Sequence, residues 1–436
     1  MGNYQGYQKY KDSGVEWLGD IPEHWQQKRF KFSVNLINNK IEAENSNLSY
    51  MGLEHIDSWT GKRIEDKNAS SEGIGSHFLP NDVLFGKLRP YLAKVYLSEI
   101  EGLASTEALV LRCKNNIFPK FLKYYILSRD FINIVDSSTF GAKMPRASWD
   151  FIGNLFFTFP PLDEQEKIAQ FLDYKTKQID ELIKKKETLI EKLDEKRTAL
   201  ISHAVTKGLD LSVTMKDSGI EWLGDIPKHW TINQLGRLTE EINDINHEMP
   251  VAVDQGIPFL SAKDLLDDGT LNFEKDIKKI SEEDFIRLSK KICPTKNDII
   301  YSRIGACLGK ARIVEVDIKF LISYSCCVIR FCQELANPLF FKYFLDSELV
   351  LTEARLRTQG IGVPDLGLKQ IAKFTLSVPP LDEQKQIAEY LDQKTTQIDQ
   401  QKAKIKEAIE LLKEYRTSLI TNAVTGKIDV RQVAIP

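Results

Sequence analysis

The chain has 436 residues, 42% of them hydrophobic, with 59 Lys and Arg against 62 Asp and Glu for a net charge of −3. That is more than one ordinary domain and suggests two to four. It contains no apolar run near the ~18 residues of a membrane span, and the near-even balance argues mildly against a general nucleic-acid binder, leaving room for basic surface arranged locally. Six cysteines (Cys113, Cys293, Cys307, Cys326, Cys327, Cys332) form no CxxC pair and read as reduced, mostly buried thiols of a cytosolic protein.

In chain order, residues 1–10 read as a polar, tyrosine-containing leader with no apolar segment for a signal peptide and no myristoylation pattern. KDSGVEWLGDIPEHW follows at Lys11–Trp25 and returns, 205 residues later, as KDSGIEWLGDIPKHW at Lys216–Trp230. The chain is therefore two tandem halves. The regions after each phrase, 26–159 and 231–378, diverge but keep an outline. Asn81–Lys87 (NDVLFGK) aligns with Asn297–Arg303 (NDIIYSR), each reading as a strand that leaves into a loop. Phe118–Val135 and Asn337–Ala354 read as amphipathic helices after a proline. Glycine-bearing loops come next, Thr139–Gly141 to Pro145 and Thr358–Gly360 to Pro364. Strands at Asn154–Phe159 and Phe374–Val378 then lead into Pro-Pro.

Each half closes on a long helix. PPLDEQ opens residues 160–208 and again 379–427, and Pro160 and Arg197 recur as Pro379 and Arg416, both 219 residues later, so no residue is gained or lost between them. Proline suits a helix start, and Asp163, Glu164, Asp382 and Glu383 suit the positive end of its dipole. Roughly forty residues without Gly or Pro follow, predicting a rod roughly 60 Å long. Ile168, Leu172, Ile179, Leu182, Leu189, Leu193 and Leu200 in the first helix, and Ile387, Leu391, Ile398, Ile405, Leu412, Tyr415 and Leu419 in the copy, each read as a heptad seam, interrupted by Lys175, Lys186, Lys394 and Gln401. The two similar copies are candidates to pack on each other within one chain, the alternative being that each pairs with another chain.

A search for catalytic chemistry finds little. The double prolines lack the Asn or Asp and the aromatic that an amino-methyltransferase needs, and no glycine-rich strand-to-helix fingerprint is present. GACLGK (Gly305–Lys310) is one residue short of a phosphate loop and lacks the Ser or Thr after lysine. Asp317-Ile-Lys319 lacks a partnering acid for nuclease chemistry, and the scattered histidines predict no metal site. His24 and His229, beside Trp25 and Trp230, read as packing and capping residues. What remains is binding: Lys87, Arg89 and Lys94, then Lys143 and Arg146, in the first globule, and Arg303, Lys310 and Arg312, then Arg355 and Arg357, in the second. Such clusters neutralise phosphates or, for arginine, pair with guanine. Singly they read as solvated surface; as a matched set on two divergent globules they favour nucleic acid.

The repeated GVEWLGDIPEHW / GIEWLGDIPKHW, the two PPLDEQ helix starts and the RTALISHAVTKG / RTSLITNAVTGK helix ends, each present twice and in order over nearly the whole chain, resemble the specificity subunit of Type I restriction–modification systems. The resemblance implies a mixed α/β chain of two α+β target-recognition globules in tandem, each followed by a long helix, the helices packing as an antiparallel intramolecular coiled coil. It divides the chain into a first recognition domain (1–159), a spacer helix (160–208), a linker with the second recognition domain (209–378), and a second spacer helix with tail (379–436). Each globule would read one half of a split double-stranded DNA target in the major groove, without catalysis. The helices would set the half-site spacing and dock two methyltransferase subunits, and restriction subunits would join the full complex. S-adenosylmethionine, ATP and Mg are expected on those partners and no cofactor on this chain, in a bacterial or archaeal cytoplasm. The competing reading is a coiled-coil assembly scaffold with protein-binding heads and no DNA readout.

Overall fold

A computed structural model describes residues 4–42, 46–64, 73–141, 143–274, 276–358 and 362–435. Contacts group the chain into two compact units, Met1–Glu187 with Ile405–Pro436, and Thr188–Lys404. Each long helix, Leu162–Lys207 and Leu381–Val424, gives one half of its length to each unit. At 46 residues the first is about 70 Å long. Among the described residues no helix is long and apolar enough to cross a membrane.

In the first unit, Val83–Gly86 is buried along its whole length and pairs antiparallel with Ala108–Cys113, giving a four-stranded sheet in the order Val34–Ile37, Ala108–Cys113, Val83–Gly86, Val95–Leu97. Unbroken burial requires cover on both faces. A second four-stranded sheet, in the order Lys40–Glu42, Ile74–Phe78, Gly102–Ser105, Ser49–Met51, is antiparallel except for its last pair. Rings of Phe30, Phe121, Tyr125, Phe131 and Phe157 fill the main core, Tyr125 meeting Phe157 edge-on at 4.5 Å. Such a pair adds ~0.5–1.5 kcal/mol beyond its burial.

The second unit repeats the plan with other side chains. Its main sheet runs Thr239–Asn243, Cys326–Phe331, Ile299–Ser302, Ala311–Ile313, all antiparallel. Its second sheet has three strands, Lys279–Ile280, Ile257–Leu260, Leu321–Ile322. Phe340, Phe341, Phe344 and Phe374 fill its core. In both units the strand before Pro-Pro pairs antiparallel with the strand just after the repeated phrase, Phe156–Phe159 with Gln26–Arg29 and Thr375–Val378 with Thr231–Gln234. That pairing brings the helix start back to the phrase.

Two expectations need correction. The amphipathic stretch after Phe118 is two helices, Pro119–Ile126 and Arg129–Ser137, and its twin is Pro338–Leu345 and Glu348–Arg357. A serine ends the first member of each pair: Ser128 Oγ donates to Tyr125 O and Ser347 Oγ to Phe344 O, both at 2.6 Å. A hydroxyl that satisfies the last turn lets the backbone leave the helix.

The seam is the second correction. Ile168, Leu172, Ile387 and Leu391 are fully buried, but within the globule cores, and Ile179, Ile398 and Leu419 are buried too. Leu193, Ile405 and Leu412 are half-buried, whereas Leu182 and Leu189 are 44% and 46% exposed. Ile183 and Ile190 take the inward places instead, and the seam position Lys186 between them stays half-buried. An α-helix turns every 3.6 residues and drifts about 20° per strict heptad, so over two to three heptads the buried face turns by roughly 40–60° toward the following residue, and Leu182 and Leu189 at its edge are uncovered.

The helices do pack antiparallel within each unit. Asp180 meets Arg416 at 3.0 Å in the first unit; in the second, Lys402 pairs with Asp194, and Arg197 reaches Asp399 at 4.0 Å. As one residue number climbs the other falls by the same step. Under the 219-residue repeat Asp180 becomes Asp399 and Arg197 becomes Arg416, so each helix carries both members of one self-complementary ion pair. Gly208 and Gly426 end the helices at φ +78° and +75°, a left-handed cap that glycine adopts without strain, and a Cβ there would crowd Trp230 and Pro22 respectively. Past Gly426 the tail lies on the first repeated phrase, with Lys427 donating to Leu18 O and Asp20 O, and Asp429 N to Gln5 O.

Candidate nucleic-acid interface and its joints

The basic loops leave the buried central strand of each main sheet. In the first unit, residues 87–89 and 145–147 are zipped by main-chain bonds: Arg89 N to Pro145 O at 2.8 Å and Ala147 N to Lys87 O at 2.9 Å. The second unit repeats both, Gly305 N to Pro364 O at 2.9 Å and Leu366 N to Arg303 O at 3.0 Å. Two loops distant in sequence thus become one surface in each half. Gln359, Gly360 and Ile361 of the second glycine loop lie outside the described residues.

At the last residue of the zipper the two halves share a left-handed backbone, Arg89 at φ 51° and Gly305 at φ 86°. Glycine bears this freely; an arginine pays on the order of 1 kcal/mol. A side chain held at such a cost where glycine would serve marks a position kept for what the side chain touches.

The ten basic candidates divide by partner. Arg303 is buried, its guanidinium held by Asp365 at 2.8 Å, Asp244 at 2.8 Å and His247 at 3.1 Å. Arg312 is buried as well, bonded to Asp346, Ala311 O and Leu266 O. Both belong to internal ion networks, where an unpaired charge would be costly, and neither is on the surface. Lys94 and Lys310 occupy matching places and tie down the turn behind them, Lys94 Nζ donating to Ile56 O at 2.6 Å and Lys310 Nζ to Leu265 O at 3.2 Å and Asp267 at 2.6 Å. Arg146 is paired with Glu107, and Arg357 with Glu353. Lys87, Arg89, Lys143 and Arg355 have no side-chain partner among the described residues, and the last three are exposed.

Sequence reasoning missed the apolar tips beside these bases: Tyr91, Phe140 and Met144 in the first unit, Leu356 and Val363 in the second, with Phe140 65% and Leu356 81% exposed. Exposed rings and methyls among cations suit base edges and thymine methyls. It also missed the joints. Glu164 of the first long helix accepts from Tyr7 Oη (2.7 Å) and Trp25 Nε1 (3.0 Å) on one oxygen and meets His24 Nε2 (2.8 Å) on the other. Gln165 accepts from Phe118 N at 2.8 Å and donates to Asn116 O and Pro160 O. Glu383 repeats the first set with His229 and Trp230, and Gln384 the second with Asn337 N, Leu335 O and Pro379 O. The repeated Glu-Gln of PPLDEQ was the available signal: one residue grips the Trp-His phrase, the next grips the globule. Further along, Tyr124 bonds Asp173 at 2.7 Å and Tyr343 bonds Asp392 at 3.2 Å. Burial pushes the Asp173 carboxyl up, but bonds from Lys120 and Tyr124 outweigh it and hold it below the usual range. No group of three or more His, Cys, Asp or Glu among the described residues is placed to hold a metal ion.

The family model for the Type I restriction modification DNA specificity domain matches residues 76–192 and 233–411. The chain is 24% identical over 424 residues to the Type I restriction enzyme MjaVIII specificity subunit of Methanocaldococcus jannaschii, covering 95% of each. It is 23% identical over 362 residues to the EcoBI specificity subunit of Escherichia coli, covering 80% of this chain and 74% of that one. In fold it is similar to a chain from a structure titled for complex assembly and conformational transition of the type I R-M system (TM-score 0.72, 19% identity, 93% of this chain and 98% of that). It is also similar to the HsdS subunit from Thermoanaerobacter tengcongensis (TM-score 0.53, 20% identity, 94% and 98%).

Proposed function

The chain belongs to the Type I restriction modification DNA specificity family, and from that premise we propose that the zippered basic loops of its two halves are the surfaces that read DNA. It is a non-catalytic specificity subunit that reads a bipartite DNA target through two tandem globules, in a multi-subunit complex. Lys87, Arg89 and Lys143 face DNA in the first half and Arg355 in the second, with Tyr91, Phe140, Met144, Leu356 and Val363 beside them. The observation that carries this is the duplicated zipper with a left-handed residue at its tip, Arg89 in one half and Gly305 in the other. A divergent pair of tips on a repeated frame is what two unlike half-sites require. Arg303 and Arg312 act inside the second globule rather than on DNA.

In the same proposal the spacer helices of residues 160–208 and 379–436 (the latter with the tail) join recognition domains 1–159 and 209–378 (the latter with its linker), dock two methyltransferase subunits and set the half-site separation. The half-sites fall on one DNA face about one turn apart, ~34 Å, or a multiple of it. Restriction subunits join the full complex.

The deciding experiment is a genome-wide map of methylated bases in a naive host carrying this chain with the methyltransferase encoded beside it, against a host lacking this chain. The expected result is one new split motif, two short half-sites with a fixed gap. A stable complex that adds no methylation and shows no salt-sensitive DNA affinity points instead to the scaffold reading, since phosphate contacts must give that sensitivity. Within the complex, Arg89→Ala is expected to weaken DNA binding and, if Arg89 meets phosphate, to lower the log–log salt slope by about 1. If it reads guanine, the variant instead relaxes one base position by ~1–3 kcal/mol. Unchanged affinity, slope and motif would remove Arg89 from the interface.

A further inference from the structure

The halves share one plan, so a place where they differ can be read against its twin. In the first unit the turn 57–62, closed by a bridge between Ile56 and Arg63, is fastened to the long helices. Arg416 donates to Trp59 O at 2.8 Å and Thr60 O at 3.1 Å, and Lys62 meets Asp180 at 2.7 Å. Beside it Lys120 and Lys123 meet Asp173 at 2.8 and 3.7 Å. The turn thus adds carbonyls to Arg416 and a cation to Asp180 beside their own ion pair.

In the second unit the matching turn, 266–270, lies between bridged Leu265 and Leu271 and is one residue shorter. Thr270 stands where Lys62 precedes the closing bridge, and Leu339 stands for Lys120. A cavity of about 240 Å³ opens there, lined by Arg197, Asp268, Lys342, Tyr343, Asp392 and Asp399 among others. Arg197, the twin of Arg416, reaches Asp399 at 4.0 Å and no carbonyl among the described residues; its side chain is 24% exposed against 6% for Arg416. Lys342, the twin of Lys123, is 7% exposed, and its ammonium lies 4.2 Å over the Tyr343 ring with no carboxylate or carbonyl partner among the described residues. Burial pulls that ammonium below the usual lysine range. Asp392, the twin of Asp173, is met by the Tyr343 hydroxyl but by no cation among the described residues.

Among the described residues Arg197 and Asp399 thus have only each other, at 4.0 Å, where the first-unit turn adds carbonyls to Arg416 and a lysine to Asp180, and Lys342 and Asp392 lack the charged partners that Lys123 and Asp173 have. A small anion would satisfy the two bases but meet Asp268, Glu315, Asp392 and Asp399. A free cation would leave Lys342 buried without an acceptor, which is costly. A stretch of polypeptide offers main-chain carbonyls and a basic side chain together. We propose that this opening receives a turn of a partner polypeptide bearing a lysine or arginine, which docks on Arg197, Lys342 and Asp399 as the Trp59–Lys62 turn docks within the first half. The inference rests on the chain's working in a multi-subunit assembly and not on how it reads DNA.

The test uses the full chain without DNA or other subunits, so its failure is separable from failure of the DNA reading. The probe is a dye-labelled, end-capped heptapeptide, Asp-Ser-Trp-Thr-Gly-Lys-Arg, the sequence of the first turn, followed by fluorescence anisotropy. Saturable one-to-one binding is expected, weakened at least about tenfold by Arg197→Ala, by Asp399→Asn, and by glutamine in place of the peptide's basic residues. Thr270→Lys, which offers Asp399 a cation from the chain's own turn, is expected to weaken it as much while leaving the unfolding temperature equal or higher. Binding that never saturates, binding indifferent to Thr270→Lys, or displacement of the peptide by equimolar spermidine would each overturn the proposal, the last by showing a site for free cations.

Discussion

Exchanging residues 26–159 for the matching region of a relative is expected to rewrite one half of the methylated motif and to leave the other half and the gap as they were. Specific binding typically exceeds non-specific binding by about 10³–10⁷, so the old half-site should vanish from the map rather than fade. The structure makes the exchange feasible because the frame grips this region largely by its main chain. Gln165 holds Phe118 N and Asn116 O, and Arg416 holds Trp59 O and Thr60 O. Main-chain atoms are the same whatever the side chains. Side chains that also reach the frame include Lys62, Lys120, Lys123 and Tyr124, which meet Asp180 or Asp173, Gln27, which donates to Ser13 O, and Phe121, which packs on Trp25, and an incoming region should supply a tyrosine at the Tyr124 position, as the second half does with Tyr343. The converse experiment inserts four residues in the middle of both long helices. It adds about 6 Å of helix, close to two base-pair steps of ~3.4 Å, and should widen the gap by about that much with the letters unchanged. An exchange that altered both half-sites, or an insertion that altered letters but not the gap, would contradict the division of labour proposed for globules and helices.

Trp25→Ala is expected to destabilise the first unit by about 3–5 kcal/mol, the cost of emptying a packed tryptophan site, against a typical domain stability of ~5–15 kcal/mol. The ring is 1% exposed, meets Phe121 and Tyr7 edge-on, and donates to Glu164. Removing it opens a cavity and takes one donor from a buried carboxylate at once. Glu164→Gln keeps the volume and should cost less, about 1–3 kcal/mol for a weakened buried bond. Peptide-resolved hydrogen exchange reads the effect where it occurs: protection should fall across residues 4–187 and 405–435 and hold across 188–404. Trp230→Ala should reverse that pattern. Equal loss in both units from either variant would mean that Trp25 and Trp230 do not anchor separate cores.

How much of this was open to a reader of the sequence follows from which interactions are local. The tandem halves and the long helices are written in chain order, because a repeat of fixed length and an apolar period are properties of neighbouring residues; the antiparallel sense of the helix pair came only with the family resemblance. So are the strand before Pro-Pro and the strand that leaves at Val83 or Ile299, and the family resemblance rests on phrases of the same local kind. Leu182 and Leu189 were misplaced because a count in sevens ignores the 3.6-residue turn, and the single helix after Phe118 became two because a serine hydroxyl competes with the helical bond. The roles of the basic residues were not legible. Lys87 and Arg303 align in sequence, yet Arg303 is enclosed by Asp244, His247 and Asp365, residues 59, 56 and 62 positions away. Lys123 and Lys342 align as well, yet one meets Asp173 and the other meets no carboxylate among the described residues. A sequence states which side chain carries a charge. Whether that charge is spent inside the fold or left for a partner depends on groups brought together from elsewhere in the chain, and that was decided by tertiary structure alone.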